Sequence, residues 1–176
     1  MLKKGNDPLG TVMFNIKGHR VKLDREDLEK VVRRTWQIKH MGYRIYFRTR
    51  NSNRKNIPLH RFILKVKKGQ IVDHISGDTL DNRKRNLRIV TAQQSTWNTG
   101  PRKGLKYKGV EKKVVKGKWT GKWRAKLRKQ GRTYVSRSFP TIEQAAKARD
   151  KLSRKHHGQY ARLNFPVDPN KVMLRQ

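Results

Sequence analysis

The sequence contains no cysteine and few acidic residues, and each shortage excludes something. Without cysteine the chain has no disulfide and no thiolate ligand, so any metal must be held by oxygen or imidazole atoms and we expect no zinc. Only 12 Asp and Glu side chains stand against 46 Lys and Arg, which gives a formal net charge of +34. The positive charges repel one another, and binding to a polyanion relieves that repulsion. Nucleic acid is therefore the leading candidate partner.

Long apolar runs are missing as well. No run approaches the roughly 18 residues of a membrane span, and no segment has the bulky apolar face of a membrane-surface helix. The first ten residues do not have the pattern of a signal peptide. We therefore expect a soluble, cytoplasmic chain without a membrane partner. With 34% hydrophobic and 33% charged residues over 176 positions, small modules in series are more plausible than one large core.

The acidic residues that do occur are unevenly placed. Residues 51–100 contain only three carboxylates, and all lie within VDHISGDTLDN at 72–82. If Asp73 and His74 end a strand, their side chains point to opposite sides. A neutral imidazole can take a proton from water near pH 7, and a carboxylate is a ligand for a hard ion such as Mg²⁺. The alternative is structural: turn-forming aspartates around a half-buried histidine.

The N-terminal part indicates a small β-rich scaffold. TWQIK and GYRIYFRTR alternate as strands do, and LDREDLEKVV is typical of a short helix with Asp24 as N-cap. The following IPLHRFILKV is apolar enough to be either helix or strand, and its His60 suits either packing or phosphate contact.

The C-terminal part predicts a three-stranded antiparallel meander followed by a helix. The central segment 122–128 alternates strictly, with Trp123, Ala125 and Leu127 on the core face. The opposite face carries a row of cations: Lys122, Arg124, Lys126 and Arg128. The outer strands are Tyr107–Val115 and Arg132–Phe139, and a helix begins after Thr141 and ends at Gly158. Such a sheet can enter the major groove of DNA, although a solvated basic face or an RNA contact is the alternative.

Residues 59–98 resemble the HNH endonuclease family, particularly the bacteriophage homing endonucleases with a ββα-metal finger. The resemblance rests on LHRFI at 59–63 and on the ordered series Asp73-His74, Asn82, Asn86-Leu87-Arg88, Val90-Thr91 and Asn98. It implies that His74 is the general base and that Asp73 binds one divalent ion, Mg²⁺ or Mn²⁺. Asn86 would pin the loop and orient the histidine, with Asn82 as a second support.

One position departs from that family. Its members usually place an asparagine or histidine ligand on the helix of the finger, where this chain has Ser95. Asn98 lies three residues further along the same helical face. The predicted metal ligands are therefore Asp73 and Asn98, with Ser95 as the third candidate.

The C-terminal part resembles the plant ethylene-response-factor (Apetala-type) DNA-binding domain, which also occurs in bacteriophage endonucleases. The matching segments are YKGV at 107–110, KWRAKLR at 122–128, SFPTIEQAAKARD at 138–150 and ARLNFP at 161–166. Glu111 and Arg137 depart from the usual residues of that family, so no base preference is carried over. The predicted DNA-binding residues are Lys108, Lys113, Lys122, Arg124, Lys126, Arg128 and Arg132.

Together these patterns predict an α+β chain made of a ββα-metal finger plus a three-stranded antiparallel sheet packed on one helix. The predicted segments are an N-terminal β-rich part at 1–56, a nuclease finger at 57–100, a linker at 101–106, a DNA-binding domain at 107–166 and a tail at 167–176. The predicted function is a metal-dependent, homing-type endonuclease of double-stranded DNA, acting as a monomer without an obligate protein partner. Nicking of one strand and a double-strand cut are both open alternatives. Its rivals are a non-catalytic DNA-binding protein with a decayed finger and an RNA-binding protein of ribosomal type.

Overall fold

The computed structural model describes residues 10–166, and the predicted tail at 167–176 lies outside them. The chain divides into two compact units, with the division between Ser95 and Thr96. Both units are mixed α/β structures built on small antiparallel sheets. Within residues 10–166, no helix is long and apolar enough to cross a membrane.

The first unit contains three small sheets. Two strands, β1 and β2, form a hairpin, three form the sheet β3-β4-β5, and two form the pair β6-β7, all antiparallel. The strands are β1 (Thr11–Ile16), β2 (His19–Asp24), β3 (Gln37–Met41), β4 (Arg44–Arg50), β5 (Asn56–Pro58), β6 (Ile71–His74) and β7 (Leu87–Val90). The helices are α1 (Arg25–Val32), α2 (Leu59–Leu64) and α3 (Ala92–Trp97), and α3 runs across the division between the units.

One hydrophobic cluster joins these elements. Its buried members come from β1, β2, α1, β4, α2 and β7, so segments on both sides of residue 56 pack into the same core. Val21, Leu23 and Val31 are fully buried in it, and Trp36 donates its indole N–H to the Val31 carbonyl at 2.8 Å. The predicted boundary at residue 56 is therefore not a boundary between two hydrophobic cores.

The second unit is a three-stranded sheet with one long helix. The strand order is β10-β9-β8, with antiparallel pairing throughout. Its elements are β8 (Val110–Val115), β9 (Lys118–Lys129), β10 (Arg132–Phe139) and α4 (Ile142–His157). Ala145 and Ala146 are fully buried on α4, and Ala125 is fully buried on β9. Small side chains let the helix lie close to the sheet.

Two features close the second unit. Gly109 has a φ of +66°, and a Cβ there would lie 2.7 Å from the Lys126 carbonyl oxygen, so only glycine fits without movement. Near the other end, Asn164 accepts from the Lys108 N–H at 2.8 Å and donates to the Lys108 carbonyl at 3.1 Å. Asp150 in turn accepts the N–H groups of Asn164 and Phe165. The end of this unit is thereby tied back to its beginning.

Most predicted elements are present, and a few differ in extent. The predicted meander, the N-cap at Thr141 and the helix end at Gly158 are confirmed. The segment at 57–66 is a helix entered from a three-residue strand, and the predicted strand at Tyr107 starts only at Val110. Asp24 occupies the N-cap position of α1 but makes no capping hydrogen bond, because its carboxylate accepts from the N–H of Lys84 at 2.8 Å.

Candidate nuclease site

His74 is the last residue of β6 and is only 5% exposed. Two other rings pack around its imidazole: His60 from α2, with ring centroids 5.2 Å apart, and Tyr46 from β4 at 6.3 Å. Tyr46 and His60 also contact each other, at 5.9 Å. His74 therefore packs against aromatic rings from two other elements, α2 and β4.

Asn82 provides a polar contact to that ring. Its Oδ1 lies 3.3 Å from Nε2 of His74, and its Nδ2 donates to the Thr79 carbonyl at 3.0 Å. The second bond fixes which end of the amide faces the imidazole. Because an amide oxygen can only accept, Nε2 of His74 carries the proton, and Nδ1 is the nitrogen with the lone pair.

Asn86 holds the 75–86 loop, which is the chain between β6 and β7. Its Oδ1 accepts from the N–H of Ser76 at 2.9 Å, and its Nδ2 donates to the Asp81 carbonyl at 2.7 Å. Its own carbonyl accepts from the N–H of Ile75 at 2.8 Å. One buried asparagine thus joins the two ends and the middle of the loop.

Burial keeps the histidines of this site neutral. Desolvation lowers the pKa of His74, against the opposing effects of the Asn82 contact and the nearby aspartates. Desolvation, followed by repulsion from His74 and Arg61, lowers the pKa of His60 to about 3. At pH 7 both rings are therefore unprotonated bases, which is the form that can accept a proton.

Asp73 forms an ion pair with Arg88. The two residues are direct partners across β6 and β7, and Oδ2 of Asp73 accepts from Nε at 3.2 Å and from Nη2 at 3.0 Å. Both side chains are 14% exposed. A metal ion at Asp73 would therefore share the carboxylate with this guanidinium or displace it.

The other predicted metal ligands lie on and after α3. Ser95 belongs to α3 in the first unit, whereas Asn98 follows the end of α3 in the second unit and is 4% exposed. The carboxylate of Asp73 and the hydroxyl of Ser95 are oxygen donors of the kind that Mg²⁺ takes. Of the predicted ligands in the first unit, Asp73 is the charged one, and both it and Ser95 carry the oxygen atoms that a hard divalent ion prefers.

The N-terminal hairpin anchors the 75–86 loop by backbone pairing. Lys22 of β2 donates its N–H to the Leu80 carbonyl at 2.8 Å and accepts from the N–H of Asn82 at 2.9 Å. Lys84 adds charge to this contact, because its ammonium pairs with Glu26 and lies 3.5 Å from the buried Asp27. The segment that carries Asn82 is therefore held in place by the first 20 described residues.

In the second unit, the predicted row of cations lies on the open face of the sheet. Lys122, Lys126 and Arg128 are exposed, and Arg124 is 35% exposed. Glu111 stands directly opposite Arg124 across β8 and β9, and its carboxylate pairs with Arg124 at 2.8 Å and with Lys126 at 3.4 Å. The face is basic but contains one carboxylate among its cations.

The remaining predicted DNA-binding residues are placed differently. The ammonium of Lys108 donates to the carbonyls of Trp97 and Thr99, each at 2.8 Å. Lys108 therefore hydrogen-bonds the backbone at the end of α3 and just after it, instead of facing outward. Arg132 stands opposite Lys129, which places it on the face of the sheet that carries α4. Lys113 is partly buried where the pairing of β8 and β9 shifts register. Lys108 and Arg132 thus do not lie with the row of cations on the open face, and their contact with DNA stays a prediction.

Three contacts of the site were not predicted. His60 and Tyr46 were not linked to His74, because helix α2 and strand β4 meet it only through the tertiary fold. The Asp73–Arg88 pair follows from the register of β6 against β7, which is set across the 75–86 loop and has no signal in the local sequence. The contact of Lys22 with the 75–86 loop has no signal in the local sequence.

Comparison with known proteins supports a nuclease. Residues 64–96 match the family model described as HNH endonuclease, and this segment contains β6, the 75–86 loop and β7. An uncharacterised HNH endonuclease of Acanthamoeba polyphaga mimivirus is 29% identical over 135 residues, which cover 73% of this chain and 66% of that relative. The chain thus spans about two thirds of the length of this relative. No solved structure matches the chain.

Proposed function

We propose that this chain is a metal-dependent endonuclease of double-stranded DNA. The observation that carries the proposal is the buried, neutral His74 held by Asn82, inside the segment that matches the HNH endonuclease family. A neutral imidazole with a fixed tautomer is a suitable general base for activating water. The homing type and the phage or mobile-element origin remain predictions from the resemblance, and the cytoplasmic location remains a prediction from the composition of the sequence.

In the proposed reaction, Nδ1 of His74 takes a proton from a water molecule. The oxygen of that water attacks the scissile phosphorus, and the bond to the 3′ oxygen breaks. Asn82 keeps the imidazole in the tautomer that can accept this proton, and Asn86 holds the loop that presents Asn82. Using water as the nucleophile makes the reaction a hydrolysis.

Asp73 is the proposed metal ligand, with Ser95 and Asn98 as further candidates. When bound, Mg²⁺ or Mn²⁺ would neutralise charge that develops on the phosphate and on the leaving oxygen. Arg88 holds the Asp73 carboxylate in a fixed position beside β7. We propose one ion for the site.

The open face of the second unit is the proposed DNA contact. Lys122, Arg124, Lys126 and Arg128 lie on one strand, and alternate residues of a strand are about 7 Å apart, so these cations form a row along the face. The net charge of +34 predicts binding that weakens steeply as salt rises. The resemblance to the ethylene-response-factor domain stays a prediction, as does action as a monomer.

A second candidate function is DNA binding without cleavage. Its supporting observations are the pairing of Asp73 with Arg88 and the presence of Ser95 where the family usually has a stronger ligand. In that case the first unit would be a decayed finger, and the second unit would carry the function.

The deciding experiment incubates the purified chain with supercoiled and linear DNA in Mg²⁺, Mn²⁺ or EDTA. We expect nicks or breaks with the metals, none in EDTA, and none with His74→Ala. His40→Ala is the matched control, because His40 is an exposed histidine on β3. Binding without cleavage under every ion, on DNA that contains a verified binding site, would overturn the proposal and favour the second candidate.

A further inference from the structure

The open face of the second unit contains a carboxylate where phosphate would be repelled. Glu111 lies on β8 opposite Arg124, and the same Oε1 atom accepts from Nε and pairs with Nη2 of Arg124, each at 2.8 Å. Its other oxygen, Oε2, lies 3.4 Å from the ammonium of Lys126. The three side chains form one cluster, which we call the Glu111 cluster.

Stability does not account for this cluster. Glu111 is 34% exposed, Arg124 35% and Lys126 48%, and ion pairs at such exposure contribute little to the free energy of unfolding. Nor does phosphate binding account for it, since the carboxylate offsets one of the two positive charges that would attract the DNA backbone. The cluster therefore differs in character from Lys122 and Arg128 on the same strand.

The carboxylate of Glu111 instead holds the guanidinium group of Arg124 in place. Glu111 engages the Nε side of Arg124, so the planar group is held in one orientation. The guanidinium group has a second pair of parallel N–H donors at its far end, one from Nη1 and one from the outer hydrogen of Nη2. Glu111 does not occupy this second pair. A pair of donors in that geometry matches the O6 and N7 acceptors of guanine in the major groove.

We propose that Glu111 and Arg124 form the base-reading pair of this sheet, with Arg124 contacting a guanine and Glu111 orienting it. Glu111 is then a positioning residue, and the carboxylate also turns phosphate away from this part of the face. The inference rests on the proposed binding of DNA by the second unit. It assigns specificity to the Glu111 cluster and non-specific affinity to the exposed cations around it.

The test selects bound sequences from a random pool of duplex DNA, using the full chain in EDTA so that nothing is cut. The proteins compared are the wild type, Glu111→Gln, Arg124→Lys and the matched control Lys122→Gln, each checked for an unchanged circular dichroism spectrum. We expect the wild type to select a motif containing a guanine. Glu111→Gln and Arg124→Lys should both lose about tenfold or more of the preference at that same position. Lys122→Gln should bind all sequences more weakly and keep the motif.

The other outcomes separate two kinds of failure. If Glu111→Gln selects the same motif as the wild type at every position, this inference is overturned, while the proposal that the second unit binds DNA still stands. Selection of no motif at all by the wild type would overturn it as well. Failure of the wild type to bind duplex DNA, or tighter binding to structured RNA, would overturn the proposed function itself.

Discussion

Nε2 of His74 lies 3.3 Å from Oδ1 of Asn82, and the amide is oriented by its bond to the Thr79 carbonyl. Asn82→Ala should slow cleavage by about 10- to 100-fold, a part of the roughly 10²- to 10⁴-fold that a positioned base supplies. DNA affinity should be unchanged, because His74 and Asn82 are buried. Single-turnover cleavage rates and binding in EDTA measure the two effects.

A carboxylate at the same position gives a sharper test. Asn82→Asp places a negative charge beside the imidazole, which favours its protonated form and raises the pKa of His74. The base form is then reached only at higher pH, so the acid limb of the pH–rate profile should move to higher pH. An acid limb that stays in place would contradict the role of His74 as the base.

Asp73→Asn should remove metal-dependent cleavage while DNA binding in EDTA is retained. It also leaves Arg88 without its carboxylate partner, so we expect a loss of about 1–3 kcal/mol in the free energy of unfolding. Asp78→Asn is the matched control in the 75–86 loop that follows β6, because Asp78 is exposed and an asparagine can still accept from the N–H of Leu80. Equal cleavage by the two variants would remove Asp73 from the site.

The buried histidines make stability depend on pH. The pKa of His60 is about 3 in the folded chain and about 6.5 in the unfolded one, so between these values only the unfolded chain takes up the proton. The free energy of unfolding should therefore fall as pH drops below about 6.5, by up to about 1.4 kcal/mol per pH unit for this group. Urea unfolding of the wild type and His60→Phe at several pH values measures the difference. Parallel curves below pH 6 would contradict the burial of a neutral His60.

Lys108 and Lys122 should behave differently although both are lysines of the second unit. Lys108 holds carbonyls of the chain after α3, and burial lowers its pKa to about 8, so Lys108→Met should cost about 1–3 kcal/mol of stability. Its effect on the salt dependence of DNA binding should be small. Lys122→Met should instead reduce the slope of log affinity against log salt by about one if Lys122 contacts a phosphate, with little change in melting temperature. Interchanged effects would show that Lys108 faces the DNA.

Local patterns were sufficient to predict much of the fold. The alternation at 122–128 gave the two faces of β9, and Thr141 and Gly158 marked both ends of α4, because strand period and helix caps are local properties. Within the candidate site, the family resemblance indicated His74, Asn82 and Asn86. In the structure, Asn82 and Asn86 lie in the 75–86 loop and His74 directly precedes it.

The parts that were missed depend on contacts distant in sequence. The packing of His60 and Tyr46 on His74 needs the positions of two other elements, and the pairing of Lys22 with Asn82 joins residues 60 apart. Lys108 lies on a stretch of basic sequence, and only its tertiary contacts distinguish it from a surface cation. Composition and spacing contain no information of this kind.

The pairing of β2 with Leu80 and Asn82 also bears on how this protein is made and how it can be dissected. During synthesis the N-terminal hairpin leaves the ribosome well before the loop that it will hold, so the histidine can be oriented only after some 60 further residues have emerged. A fragment that begins at residue 57 would contain every proposed catalytic side chain of the first unit and lack β2, which pairs with the loop that carries Asn82. The proposed nuclease part is therefore not expected to work when transferred alone, and a chimera built from it has to start upstream of β1.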